Sequence, residues 1–412
     1  MSSFSISLSG LLANDEELNV ISNNLANMNT VGYKAESAQF QDLFYQELGK
    51  SGTGDPIQVG VGTGIGSTAT QFSQGTIEST GVSTDLAIQG DGFLQVQRGD
   101  LISYTRNGNL SMNSQGYLVT ADGAEVMGYQ ALNGVVTAGG ALGPLQINSG
   151  QVSPPKVTSK MTLAMNLDAG ANVGDTYSSS LAVYDSLGTP HVLTFNFAKS
   201  APNSWTYQIT IPAADVGQTG SPVVLKSGAL TFDGNGNLTS PSSDVSGISA
   251  TGLVDGASGL NLTWSLFGAA GSSEVTQVAG PSSTTSNQQD GYAAGSLTGF
   301  TIGVDGTISG AFSNGQQMNL GQIALAVFPN TQGLLRTGSN NFMASLASGL
   351  PTLGVPGTGG RGTIADGALE SSNVDMATQF AQLILAERAY QANSRGITTA
   401  DNLLQETLNL IR

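Results

Sequence analysis

Residues 372–411 read SNVDMATQFAQLILAERAYQANSRGITTADNLLQETLNLI, and within them Met376, Leu383, Tyr390, Ile397, Leu404 and Ile411 stand at seven-residue intervals. Phe380, Ala400 and Leu408 widen this apolar row, and no turn dipeptide interrupts it. The spacing predicts a helix, because every seventh residue returns to nearly the same helical face. A straight helix drifts against a strict seven-residue repeat, so a row this regular implies a partner helix and a left-handed supercoil. Ser372 with Asp375 three residues on gives a capping-box start, Glu370 adds negative charge near the positive helix end, and Gly367 marks the loop before it.

The opposite end of the chain offers the partner. Phe4, Leu11, Leu18 and Leu25 recur every seven residues, and Ile21 and Met28 continue a second row offset by three. This is a narrow apolar seam. Asn23, Asn24, Asn27 and Asn29 then crowd the end of the segment before Thr30, Val31 and Gly32, which suits a helix that frays and turns. Periodicity alone fits an ordinary intramolecular helix pair as well as intermolecular assembly. A lone pair with so narrow a seam would leave apolar surface uncovered unless neighbouring subunits buried it, which points to polymerisation.

Between these ends the pattern changes. From roughly residue 75 to 360, Asp-Gly and Asn-Gly pairs begin at Asp91, Asn107, Asp122, Asn133, Asp233, Asn235, Asp255, Asp290, Asp305 and Asn314, each a candidate hairpin turn. Strands are expected at 93–97, 117–120, 191–197 and 323–328, so the interior reads as all-β. Pro154 and Pro155 on one side, and the Ser/Thr/Gln-rich run from Pro281 to Gln289 on the other, read as linkers bounding an inserted domain.

Composition narrows the function. The 412 residues carry 13 Lys and Arg against 29 Asp and Glu, a net charge of −16, with 56 Gly, no Cys and a single His. Phosphate neutralisation needs clustered cations, so nucleic acid is excluded as a partner. Disulfides and thiolate metal sites are excluded by the missing Cys. The first residues lack the basic and apolar regions of a Sec-type signal, and no stretch approaches 18 apolar residues, so membrane insertion is not expected.

Candidate chemistry is sparse. His191, after Thr189 and Pro190 at a strand start, has no triad partners adjacent in sequence and reads as structural. Gly357 to Gly362 matches the glycine string of dinucleotide sites, but no strand precedes it and the next helix starts about ten residues later. Gly49-Lys50-Ser51 lacks the glycine five positions earlier that a phosphate loop needs; Phe44 stands there. Asp233, Asn235, Asn237 and Asp244 have the spacing of a calcium loop, yet Leu238 replaces its turn glycine, so a hairpin turn is the better reading. The expectation is a non-enzymatic chain without cofactor or metal.

The terminal motifs resemble a known family. Ser9-Gly10-Leu11-Leu12, Ile21 to Asn27 (ISNNLAN) and Asn29 to Lys34 (NTVGYK) resemble the signature of the flagellar rod and hook axial proteins. Leu369 to Asp375 (LESSNVD) and Ala386 to Asn393 (AERAYQAN) resemble the matching C-terminal motif. Asp85 to Leu94 (DLAIQGDGFL) and Thr105 to Gly108 (TRNG) resemble the shared inner β domain, and Val183 to His191 (VYDSLGTPH) resembles the outer domain of the longer, hook-forming members. Rod members are typically shorter.

The resemblance implies a mainly β fold with terminal α-helices and nested domains. It divides the chain into a helical coiled-coil domain (1–33 and 368–412), a connecting segment (34–75 and 357–367), an inner β domain (76–147 and 288–356) and an inserted outer β domain (148–287). It implies a secreted building block of the hook and basal body, delivered unfolded by the flagellar type III export apparatus, which polymerises into a hollow flexible tube serving motility as a universal joint. Its partners would be copies of itself, rod proteins, the hook cap and the hook–filament junction proteins. The assembly seam would be Phe4, Leu11, Leu18, Ile21, Leu25 and Met28, with Met376, Phe380, Leu383, Tyr390, Ile397, Leu404, Leu408 and Ile411. A distal rod protein is the nearest alternative, and a secreted carbohydrate-binding β protein a more distant one.

Overall fold

The computed structural model describes residues 2–52, 55–148, 150–268 and 271–410. Ile411 lies outside the described residues, as does the side chain of Leu408. The chain forms two compact units. One comprises Met1–Asn148, Phe300–Gly310 and Met318–Arg412, and the other Ser149–Gly299 and Ala311–Gln317.

The first unit holds both long helices, α1 (Ser2–Ala26) and α2 (Met376–Leu410). Capping differs from the sequence expectation. Asp375, not Ser372, takes the N-cap position, its Oδ1 accepting from the Thr378 amide at 2.7 Å. Ser372 Oγ instead accepts from the Val374 amide within the approach to the helix. A carboxylate facing the free amides of the first turn satisfies a donor and meets the positive end of the helix dipole. α1 ends at Ala26, and its Asn-rich exit closes through turns in which the Asn27 amide donates to Asn23 and Asn24 carbonyls.

Strands also occur where only a connection was expected. Glu36–Asp42 pairs antiparallel with Thr63–Thr70, and beyond them Tyr45–Lys50 pairs with Pro56–Gly60. Much of this arm is exposed, including Phe44 and Leu48. Phe40 between Gln39 and Gln41, and Gln58 between Ile57 and Val59, carry the two-residue alternation of a strand, but without an Asx-Gly turn to mark the hairpin. The Thr63 amide donates to Ser9 Oγ at 3.2 Å, fastening the arm to α1.

Most of the first unit's buried core comes from short strands. Phe93–Arg98 pairs with Leu101–Thr105 and with Glu125–Leu132, and Gly128 to Gln130 pair onward with Ile323 to Gly321. Phe93, Tyr104, Ala326, Phe328 and Phe342 form a buried cluster with Phe72 against it. Tyr104 and Phe328 meet edge-to-face with centroids 4.8 Å apart, the arrangement that ring quadrupoles favour.

The second unit is two β-sheets packed face to face. One runs Thr176–Tyr184, Pro190–Ala201, Ser204–Ile211, Val223–Phe232 and Leu238–Ser240, all antiparallel neighbours. The other is built on Lys160–Asn166, flanked by Leu260–Ser265 and Ser283–Gln289. Along Pro190–Ala201 buried and open positions alternate, so His191, Leu193, Phe195 and Phe197 point one way. Phe195 meets Trp264 of the second sheet at 5.3 Å, inside one core that also holds Trp205 and Tyr207. The Asp233 turn is a hairpin device: its Oδ1 accepts from the Asn235 and Asn237 amides. Asp244 turns to Ser265 Oγ and the Leu266 amide.

Candidate functional site

α1 and α2 lie antiparallel in a fixed register. A Cβ on Gly396 would sit 2.6 Å from Ser7 Oγ, and one on Gly10 would sit 2.9 Å from Asn393 Nδ2. Asn24 Nδ2 donates to Gln379 Oε1 at 3.0 Å. Three residues forward from Ser7 to Gly10 match three back from Gly396 to Asn393, and fourteen forward to Asn24 match fourteen back to Gln379. That interval is two heptads. Small, branched aliphatic and amide groups share the buried side of the pair: Gly10, Ala13, Val20, Ile21 and Asn24 are buried on α1, and Gln379 and Ala386 on α2. The same register sets Glu17 opposite Ala386, and burial pushes the Glu17 carboxyl up from its ordinary pKa.

The expected seam residues fall on both sides of this contact. Ile21 is buried; Leu11, Leu18, Leu25, Leu383, Tyr390 and Ile397 are half-buried on the flanks of the contact. Met28 is half-buried beyond the end of α1. Phe4, Met376, Phe380 and Leu404 are exposed, as are Leu12, Ile384, Leu385 and Leu403, which the heptad rows did not include.

Where the two ends of the chain leave their helices, the motifs noted in sequence converge. Lys34 Nζ donates to Glu370 Oε1 at 2.6 Å and to the Ser73 carbonyl at 2.7 Å. Glu370 Oε1 also accepts from the Gly75 amide, and Arg106 Nη1 lies 3.6 Å from Oε2. Two cations around one carboxylate leave the buried group with excess positive charge, and burial pushes the Lys34 ammonium down while Glu370 acts against that fall. Gly32, at φ +68°, passes so close to Arg106 that a Cβ would lie 2.8 Å from its backbone. Its amide donates to the Glu370 carbonyl.

Side-chain amides complete the junction. Asn373 Oδ1 accepts from the Ala35 amide while its Nδ2 donates to the Gln71 and Ser73 carbonyls. Asn24 Oδ1 accepts from Tyr33 Oη and the Glu36 amide, and its Nδ2 also donates to the Glu36 carbonyl. Arg336 pairs with Glu36 at 2.6 Å and stacks over Tyr33 and Phe342. Every one of these groups would be costly to bury unpaired. Glu370 was expected to serve the helix end; the structure instead commits it to Lys34 and Arg106. Only the motif strings LESSNVD, NTVGYK and TRNG hinted at this meeting. The site is a structural junction between the two ends of the chain.

In the second unit His191 is buried, with Nδ1 2.9 Å from Asp215 Oδ2 and Nε2 3.1 Å from Asp185 Oδ2. Sequence placed Asp185 nearby, but Asp215 comes from a short 3-10 helix, Ala213–Val216, that no motif announced.

Comparison with known proteins decides what the junction belongs to. Residues 4–34 match the family described as "Flagella basal body rod protein", 87–166 "Flagellar hook protein FlgE/F/G D1 domain", 156–292 "Flagellar basal body protein FlaE D2 domain" and 365–410 "Flagellar basal body rod FlgEFG protein C-terminal". The "Flagellar hook protein FlgE" of Treponema pallidum (strain Nichols) is 33% identical, with 98% of each chain covered. That of Escherichia coli (strain K12) is 32% identical, with 99% of each covered. The chain belongs to the flagellar hook protein family.

A solved hook protein agrees in fold: the crystal structure of Helicobacter pylori flagellar hook protein FlgE2 superposes with a TM-score of 0.51 at 16% identity, over 71% of this chain and all of that one. As a hook protein, the chain is a structural subunit of the flagellum outside the cell, and the rod alternative is not favoured. It polymerises into the hook and associates with basal-body components. Among the described residues no helix is long and apolar enough to cross a membrane.

Proposed function

We propose that the terminal helices are the hook protein's assembly surface. The observation that carries this reading is the apolar area that the α1–α2 pair leaves open: Leu385 is 69% exposed, Leu403 61%, Leu12 60% and Leu404 52%. The helix pair buries Gly10, Ala13, Val20, Ile21, Asn24, Gln379 and Ala386 and leaves these leucines outward. Such a surface is covered when subunits stack, and each leucine then contributes about 1.5–3 kcal/mol on full burial.

The four-part division reads on this basis as divided labour. Residues 1–33 and 368–412 form the tube's inner layer, 34–75 and 357–367 connect, 76–147 with 288–356 make the inner β domain, and 148–287 make the outer one. The hollow tube bends as a universal joint because polar contacts between weakly charged β surfaces are individually small and exchangeable. The export apparatus, hook cap, rod and hook–filament junction proteins are its partners, and it catalyses nothing.

Electron microscopy of concentrated full-length protein tests this. Wild type forms hollow tubes, whereas Leu404→Asp and Phe380→Asp remain monomers that melt like wild type. Tubes of unchanged length from both variants would refute the assignment.

A further inference from the structure

We infer that Asp185, His191 and Asp255 form a binding site for one zinc-class divalent cation, with Asp215 orienting the histidine. His Nε2 or Nδ1 and one carboxylate oxygen from each Asp lie within 4.8 Å of one another. His191 is the chain's one histidine and there is no cysteine, so this is the only place where a nitrogen donor of that type meets acids.

The three residues arrive on separate pieces of the second unit. Asp185 is in the turn between Thr176–Tyr184 and Pro190–Ala201, where its Oδ1 accepts from the Leu187 and Thr189 amides at 2.8 and 2.9 Å. That fixes the carboxylate and leaves Oδ2 toward His191. Asp215 takes His191 Nδ1 at 2.9 Å, an acceptor that holds the ring proton on Nδ1 and frees the Nε2 lone pair for a ligand role. Asp255 is exposed, its Oδ1 accepting from the Ala257 amide, in a loop tied to the rest by Val254 N to Asp215 O at 3.0 Å and Ser258 N to Ser186 Oγ at 2.9 Å.

Charge and distance both call for a cation. One carboxylate oxygen each of Asp185 and Asp255 lies within 4.8 Å of the other and of an imidazole nitrogen, a grouping that two ionised carboxylates hold best with positive charge between them. Among the described residues Asp185 and Asp215 form ion pairs with His191 alone, so even a protonated imidazole faces three acids and balances only one of them. Ligands on tetrahedral zinc stand roughly 3.3–3.4 Å apart for bonds of about 2.0–2.1 Å. His191 Nε2 and Asp185 Oδ2 are at 3.1 Å, and exposed Asp255 needs to move less than about 1.5 Å to complete the triangle. One nitrogen and two oxygens suit zinc rather than calcium, which takes an all-oxygen shell. A water would fill the fourth place on the Asp255 side. Zinc displaces any proton on Nε2, which leaves to solvent.

The test is calorimetric titration of metal-stripped full-length protein with zinc chloride at neutral pH, with thermal unfolding read by tryptophan fluorescence. One equivalent binds and raises the unfolding temperature of the second unit. His191→Gln abolishes binding, Asp215→Asn weakens it about 10–100-fold, and Asp233→Asn, in a turn elsewhere, leaves it unchanged. Asp255→Asn weakens binding at a solvent-exposed position and so serves if His191→Gln does not fold. No saturable equivalent, or binding indifferent to Asp255→Asn, overturns the assignment and leaves a proton as the cluster's sole cation.

Discussion

Lys34 and Glu370 stand 336 positions apart in the chain and meet at 2.6 Å with both side chains fully buried. Each family motif at one terminus is thereby completed by the motif at the other. Removing one partner of a buried pair strands a charge, which costs about 3–5 kcal/mol. Glu370→Ala strands two, since Arg106 shares the carboxylate. Both tryptophans, Trp205 and Trp264, lie in the second unit's core, so the two units can be followed separately. In urea, helical circular dichroism of Glu370→Ala falls at lower denaturant while tryptophan fluorescence keeps its wild-type midpoint. Equal displacement of both signals would contradict this placement of the pair.

The helix register is open to a covalent check, because the chain has no native cysteine. A Cβ on Gly396 would lie 3.3 Å from Ser7 Cβ, close to disulfide separation. Ser7→Cys with Gly396→Cys therefore oxidises within a single chain and runs faster on a non-reducing gel. Ser7→Cys with Ile384→Cys, twelve residues off register, does not; equal cross-linking of the control would rule the register out.

Two neighbouring kinds of leucine separate folding from assembly. Leu383 is half-buried beside the α1–α2 contact and Leu403 is exposed. Leu383→Asp lowers helix stability by about 1–3 kcal/mol and stops tube formation. Leu403→Asp stops tube formation with an unchanged melting curve for the monomer. Sedimentation alongside melting distinguishes the two, and a Leu403→Asp monomer that melts early would show that the side chain packs within the chain.

Asp290 sets an acid limit on the second unit. Burial raises its carboxyl, but the Lys160 and Ser159 amides, Ser159 Oγ and Lys156 together hold it at about 2. Its folded pKa is depressed, so its contribution is present above the unfolded value and lost as pH falls from about 4 toward 2. Allowing for solvent screening, that contribution is about 1–2 kcal/mol. Asp290→Asn should flatten the acid unfolding of tryptophan fluorescence across that window; an unchanged slope would show that the network adds nothing.

How much of this the sequence revealed depends on the range of the interactions. The seven-residue rows located both helices, since periodicity is a local property, and the Asx-Gly pairs located the Asp233 hairpin for the same reason. The rows did not announce the close approach of the helices: leucines signalled a seam, while Gly10, Ala13, Ala386 and Asn393, which carry no periodic apolar signal, stand where the helices meet. The arm of Glu36–Thr70 escaped notice because its turn lacks Asx-Gly chemistry. The pairings of Glu370 with Lys34 and of His191 with Asp215 depend on tertiary approach and leave no spacing to read.

The nested path of the chain imposes an order in time. All residues of the second unit have been supplied by Gln317, whereas the first unit needs Glu370 and the whole of α2 to close. Contacts so distant in sequence are slow to form, since a long loop must close before they repay its entropy. In a chain synthesised from its N-terminus, the sandwich thus has all its residues while the first helix still waits for a partner. The last segment to arrive is the one that makes the subunit competent, so an incomplete copy has no closed junction with which to join a growing polymer.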